Sequence, residues 1–170
     1  MSYINGLKLI NAISESVKRM RRSGELGRSV VAEQLQDVLS DIEKSIEIAS
    51  KLEEAIASSD KGMLASKICN WHLIKVGNSI SLRRFKPLIT LTYDATLNTA
   101  LVSSKKSFIK LSANGLEVGS GHLKVSTYLT SESMAENSIL LTALLKKVAP
   151  IVNKLVSDLS NCAKASRIRT

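Results

Sequence analysis

The chain has 170 residues, with 24 lysines and arginines, 15 aspartates and glutamates, and a formal net charge of +9. This length suits one domain that buries its own apolar core. No apolar run approaches the roughly 18 residues needed to cross a bilayer, so we expect no transmembrane segment.

The charge is distributed unevenly along the chain. Residues 30–60 hold eight acidic and two basic residues, whereas residues 61–170 hold sixteen basic and five acidic residues. An evenly charged chain would indicate only high solubility. This separation predicts surfaces that meet different partners.

The first two segments have the periodicity of amphipathic helices. Apolar residues recur at spacings of three and four from Ile4 to Met20, which predicts a helix over about residues 3–22. A second seam from Val31 to Ile56 lasts nearly four heptads, which is typical of a coiled coil or of a long helix packed on a sheet. Its predicted outward positions are acidic: Glu33, Asp37, Asp41, Glu43, Glu47, Glu53 and Glu54.

The middle of the chain has the shorter period of β-strands. We predict a short helix over about residues 61–70, and then a hairpin around Gly77-Asn78. Alternating residues from Leu88 to Tyr93 and the turns that follow predict an antiparallel meander of about five strands.

The last segment returns to the helical period. Ser133 and Glu136 match a capping box, and an apolar seam continues from Leu141 to Cys162. Pro150 lies within this seam, and we expect it to kink or break the helix near Val148, because proline cannot donate a backbone hydrogen bond.

These elements predict a single α+β domain with its helices on one face of the sheet. Residues 1–60 are helical, residues 61–130 mostly β, residues 131–165 helical, and residues 166–170 form a basic tail. The long C-terminal helix packs on the sheet or pairs with the second helix, within one chain or between two chains.

Few residues suggest catalysis. The chain has only two histidines, and it contains no zinc-binding, P-loop or dinucleotide motif. Cys69 and Cys162 are far apart and lack metal or redox spacing, so we expect two buried, reduced thiols. We therefore predict a cytoplasmic, non-enzymatic protein without cofactor or metal.

The basic β region carries the strongest functional signal. Residues 61–128 contain ten basic residues, two acidic residues and five of the six aromatic residues. Single-stranded nucleic acid is bound by this combination, since cations neutralise phosphates and aromatic rings stack on unpaired bases. We predict nucleic-acid binding, with single-stranded DNA or RNA favoured, by these residues: Arg83, Arg84, Lys86, Lys105, Lys106 and Lys110 for phosphates, and Phe85 and Trp71 for stacking.

Other interpretations of the same residues stay open. Tyr93 and Phe108 have the residue type of sheet cores, and turn lysines also keep sheets soluble. The acidic second helix and the basic last helix could pair between chains, which predicts a homodimer or higher oligomer and, as the alternative function, a structural or adaptor protein. The basic end of the first helix gives little support for membrane-surface binding, because Tyr3 is its one aromatic anchor.

Overall fold

Two long helices begin the fold, as the sequence predicts. In a computed structural model that describes residues 2–24, 30–59 and 65–168, α1 spans Tyr3–Arg22 and α2 spans Val30–Ser59. The apolar face of each helix is buried, from Leu9 to Met20 in α1 and from Val31 to Ile56 in α2. Within the described residues, no helix is long and apolar enough to cross a membrane.

Eight strands follow α2, rather than the predicted five or so. They form one antiparallel sheet in which each strand pairs with the next along the chain. Two-residue turns join most of the strands, so segments of four to seven residues each complete a strand, and a count based on longer periodic runs is too low. The strands are β1 (Ala65–Ile68), β2 (Trp71–Val76), β3 (Ser79–Phe85), β4 (Leu88–Asp94), β5 (Thr99–Ser104), β6 (Ser107–Ser112), β7 (Gly115–Ser120) and β8 (Leu123–Tyr128).

The short helix predicted over residues 61–70 is wrong where the structure describes it. Ala65–Ile68 is strand β1, and it pairs with β2 through a turn at Cys69-Asn70. A four-residue edge strand is too short to show a period of its own, so the apolar residues alone did not reveal it. Residues 61–64 of that prediction lie outside the described residues.

The C-terminal helices differ from the prediction in two ways. The cap is Thr130, whose side chain accepts a hydrogen bond from the Ser133 backbone and begins α3 (Ser131–Glu136), so Ser133 is not the cap. The chain then breaks at Asn137, and α4 (Ser138–Ala165) continues without interruption through Pro150. Packing of α4 against α2 and the sheet holds the helix together where proline removes one backbone hydrogen bond. Arg169 and Thr170 of the predicted tail lie outside the described residues.

The helices cover one face of the sheet, as expected. α1 and α4 contact the central and C-terminal strands, and α2 packs against both of them. The apolar stripes of α2 and α4 therefore bury each other within one chain. The prediction of a homodimer assumed that one of these stripes is left open, and the fold removes that assumption.

One acidic residue of α2 is buried rather than outward. Glu53 is 8% exposed, and its carboxylate accepts a hydrogen bond from the Tyr3 backbone at 3.1 Å and contacts Lys75 Nζ at 3.0 Å. The Tyr3 hydroxyl donates to the Leu91 carbonyl at 2.7 Å. Burial, and secondly the Glu53 charge, raise the pKa of Tyr3 well above its ordinary value. This network ties α1, α2 and the sheet together.

Cys69 and Cys162 form a disulfide, which corrects the expectation of two separate thiols. Their Cα atoms are 5.9 Å apart, and the bond joins the β1–β2 turn to the end of α4. Residues 93 positions apart in the chain meet because α4 returns across the sheet to its first strands. The cysteines thus no longer support a reducing compartment.

Candidate functional site

The strand register separates the sheet into two faces with different chemistry. The inner face, toward the helices, carries buried apolar residues such as Leu82, Leu91 and Val118. The opposite, outer face carries the alternate residues, most of them hydroxyl-bearing or charged. A side chain on these strands is therefore exposed or buried according to its parity, that is, according to which of the two alternating sets of strand residues it belongs to.

One row of outward residues crosses all eight strands in direct register. Adjacent strands lie about 4.8 Å apart, so the row is about 34 Å long. It contains three cations, a histidine and a phenylalanine but no acidic residue, and we call it the outer row: Lys67, His72, Arg83, Thr90, Ser103, Phe108, Gly119 and Lys124.

The turns beside the outer row add further cations. Lys86, Lys105 and Lys106 are exposed in the β3–β4 and β5–β6 turns, and His122 lies in the β7–β8 turn at the same end of the sheet. The Gly121 amide donates to the Lys106 carbonyl at 3.1 Å, which links two of these turns. The turns at the opposite end, at residues 77–78, 95–98 and 113–114, contain no charged residue. Positive charge is thus concentrated at one end of the sheet, which we call the basic end.

An exposed aromatic ring lies within the basic end. Phe85 is 56% exposed, and it meets the His72 ring edge-on with the centroids 5.2 Å apart. A shallow cavity of about 300 Å³ beside these rings is also lined by Lys67, Arg84 and Lys86. Phe85 can therefore offer a ring face next to cations, as stacking requires.

Phe108 is the second aromatic residue on the outer face, although its residue type suggested the core. It is half-buried because its ring lies on Gly119 of the neighbouring strand, where an added Cβ would overlap the ring. Tyr93, by contrast, is 3% exposed on the inner face.

Two of the predicted site residues do not lie on the outer face. Trp71 is 2% exposed in the apolar core, so it cannot stack on a base in this fold. Arg84 borders the cavity beside Phe85, but it stands at an inner-face position and forms an ion pair with Asp158 of α4, with 23% of its side chain exposed. Arg84 therefore fastens the sheet to α4.

The other predicted residues share the outer face or its basic end. Arg83 and Phe85 are exposed on β3, Lys86, Lys105 and Lys106 lie in the turns, and Lys110 is exposed one position further along β6 on the outer face. Lys67, His72 and Lys124 belong to the same surface and escaped the sequence interpretation. Two-residue turns fix the register between strands. They are the signal in the sequence that could have placed Lys124 next to Gly119, in the same row as Phe108.

A second group of cations lies on α1, beyond the outer face. Lys18 and Arg22 each approach Glu15 at 3.8 Å, and Arg21 donates to the Gln36 side chain on α2. These partners fit the interpretation of the cluster as a solvated helix end, with its cations near the negative end of the helix dipole.

The acidic exterior of α2 lies on the helical side of the protein. Glu33, Asp37 and Glu47 are exposed there, whereas the outer face of the sheet holds Asp94 and Glu117 outside the outer row. Glu117 is also neutralised by Lys124, at 3.4 Å. Acidic residues are therefore concentrated on α2, on the helical side, whereas basic residues predominate on the outer face of the sheet and its basic end.

Neither a metal centre nor a known relative explains this surface. Among the described residues, no group of three or more histidine, cysteine or acidic side chains is placed to hold a metal ion. Comparisons with protein families, curated proteins and solved structures found no match.

Proposed function

We propose that the protein binds single-stranded nucleic acid through the outer face and basic end of its sheet, in a non-enzymatic role without cofactor. The supporting observation is the outer row, in which the register aligns Lys67, Arg83 and Lys124 with Phe108 and no acidic residue. Turn lysines and the exposed Phe85 extend this surface at its edge.

Two features favour a single strand over a duplex. The surface is an open sheet face with no helix projecting from it to enter a major groove, within the part of the chain that the structure describes. Exposed aromatic rings beside cations match the way unpaired bases are held, by stacking worth about 1–3 kcal/mol per base. Phosphate contacts should supply most of the affinity, and these weaken with salt.

The alternative, an adaptor that assembles through its long helices, has less support. The apolar stripes that would bind another helix are buried between α2 and α4 of the same chain.

We also propose that the protein is located in the cytoplasm. In a reducing cytosol the cysteine pair is expected as two thiols, whereas intracellular proteins of hyperthermophiles retain such disulfides.

The test is fluorescence anisotropy of labelled single-stranded and duplex oligonucleotides over a salt series. We expect tighter binding of the single strand and a linear fall of log affinity with log salt. Replacing Lys105 and Lys106 by alanine should reduce the slope by about 1.4, since each single-strand phosphate contact contributes about 0.7.

A matched variant removes the same charge elsewhere. Lys18→Ala with Arg21→Ala on α1 should leave the slope near the wild-type value. Absence of binding at low salt would refute the proposal, and an equal loss of slope in both double variants would show that net charge alone is responsible.

A further inference from the structure

The outer face contains a larger cavity away from the basic end. Its volume is about 460 Å³. It lies over β6, β7 and β8, between the outer row and the uncharged turns at the end of the sheet opposite the basic end. Its lining combines polar groups with Leu116 and the Tyr128 ring, and the outward residues that β6, β7 and β8 contribute are Lys110, Ser112, Gly115, Glu117, Ser126 and Tyr128. Nothing in the proposed phosphate contacts accounts for such a hollow.

Two outward glycines of β7 show how the hollow arises. At Gly119 the Phe108 ring fills the space that a side chain would take. At Gly115 the nearest atoms to an added Cβ are the Thr127 carbonyl oxygen at 3.1 Å and Ser112 Oγ at 3.7 Å, and no ring covers the backbone. The register partner of Gly115 is Tyr128, so an aromatic residue stands beside an uncovered floor.

Tyr128 is held in place while its ring stays accessible. Tyr128 is 69% exposed and lies on the edge strand β8. Its backbone amide donates to Ser133 Oγ at 3.0 Å, which anchors this end of the strand to α3. Because the backbone of Tyr128 is already anchored and its ring is exposed, little conformational entropy is lost when a base stacks on the ring.

The charged groups of the cavity can form hydrogen bonds with the polar edge of a bound base. Lys110 and Glu117 are direct register partners on β6 and β7. Lys124 Nζ contacts Glu117 Oε1 at 3.4 Å, and no acidic group of the described residues pairs with Lys110. Lys110 follows Phe108 by two residues, about 7 Å along the strand, so it borders both the outer row and the cavity.

We infer that this cavity is a subsite for one unpaired base that carries an exocyclic amino group, such as cytosine. This inference rests on the proposed function. Tyr128 stacks on the base above the open floor at Gly115, the Glu117 carboxylate accepts a hydrogen bond from the amino group, and Lys110 meets the adjoining phosphate. Carboxylates accept from the cytosine amino group in the same manner in known base recognition.

The experiment compares three single-stranded probes of equal length and charge, an oligo-dC, an oligo-dT and an abasic oligomer, at one low salt concentration. For the wild type we expect dC to bind about fivefold tighter than dT, and dT about fivefold tighter than the abasic probe. Tyr128→Ala should reduce both the preference for dC and the advantage of the base-bearing probes over the abasic probe, leaving the part that stacking on Phe85 supplies. Tyr128→Phe, which keeps the ring, should retain most of the difference.

Two further variants locate the effect. Glu117→Gln can bond either base and should remove the preference for dC while keeping the advantage over the abasic probe. Val76→Ala, at another exposed outer-face position that is 69% exposed, should change none of the ratios.

The outcomes separate this inference from the proposed function. If no probe binds, the proposed function fails. If all three probes bind and their ratios are the same in the wild type and Tyr128→Ala, the nucleic-acid surface stands and the base subsite is refuted. Equal binding of dC and dT by the wild type would refute the selection of an amino group.

Discussion

The inner and outer faces of the sheet are built from alternate residues of the same strands, yet they differ in burial and in chemistry. Arg83 and Arg84 show this most clearly. Arg84 turns inward and is neutralised by Asp158, while its neighbour Arg83 turns outward into a row without acidic residues. Residue type and local sequence are the same for both arginines. What separates them is parity, because successive side chains of a strand point to opposite faces.

We expect the free energy of unfolding to depend far more on the inner face of the sheet than on the outer face. Leu82 is 0% exposed, and Leu82→Ala should lower the free energy of unfolding by about 2–5 kcal/mol, because it leaves a cavity in the core. Leu101, a half-buried leucine on the outer face, is the matched control, and Leu101→Ala should cost clearly less. Urea denaturation measures both, and equal losses would mean that the outer face is also covered.

The disulfide should provide the next largest contribution, on the helical side. It closes a loop between residues 93 positions apart, and reduction should lower the unfolding free energy by about 2–4 kcal/mol. Denaturation with and without reductant measures the difference, and Cys69→Ser with Cys162→Ser should match the reduced protein. A stability that does not respond to reductant would contradict the pairing.

The buried Tyr3 hydroxyl should make the inner side sensitive to alkali. The pKa of Tyr3 is raised in the folded protein, chiefly by burial, so unfolded chains lose this proton first as the pH rises. The contribution is fully present below about pH 10 and should fall by about 1.4 kcal/mol per pH unit above it. Tyr3→Phe should be less stable at neutral pH, having lost the bond to Leu91, but should show a shallower alkaline decline. Parallel declines would place the titration elsewhere.

Much of the fold follows from sequence periodicity, since α1 has its expected bounds and α2 extends the predicted seam by one residue at its start and three at its end. The prediction failed where tertiary contacts decide the structure. Strand β1 exists because it pairs with β2, Pro150 is tolerated because α4 is packed, and the disulfide forms because α4 crosses the whole sheet.

The candidate site was predictable in composition but not in arrangement. Clusters of cations and aromatics identified Phe85 and the turn lysines, which exposed turns display in any register. Trp71 and Arg84 lie at inner-face positions, which local sequence does not reveal because it does not show which alternate residues of β2 and β3 face the helices. Lys67 and Lys124 were missed because their place in the row is set by seven consecutive strand pairings.

The most direct measurement compares Arg83→Ala with Arg84→Ala in the salt dependence of single-strand binding. Arg83→Ala should reduce the slope of log affinity against log salt by about 0.7 and leave stability nearly unchanged. Arg84→Ala should leave the slope unchanged while lowering the free energy of unfolding by about 1–3 kcal/mol, since it breaks a partly buried ion pair. The same change of slope in both variants, or a change in Arg84→Ala alone, would contradict the assignment of binding to the outer face.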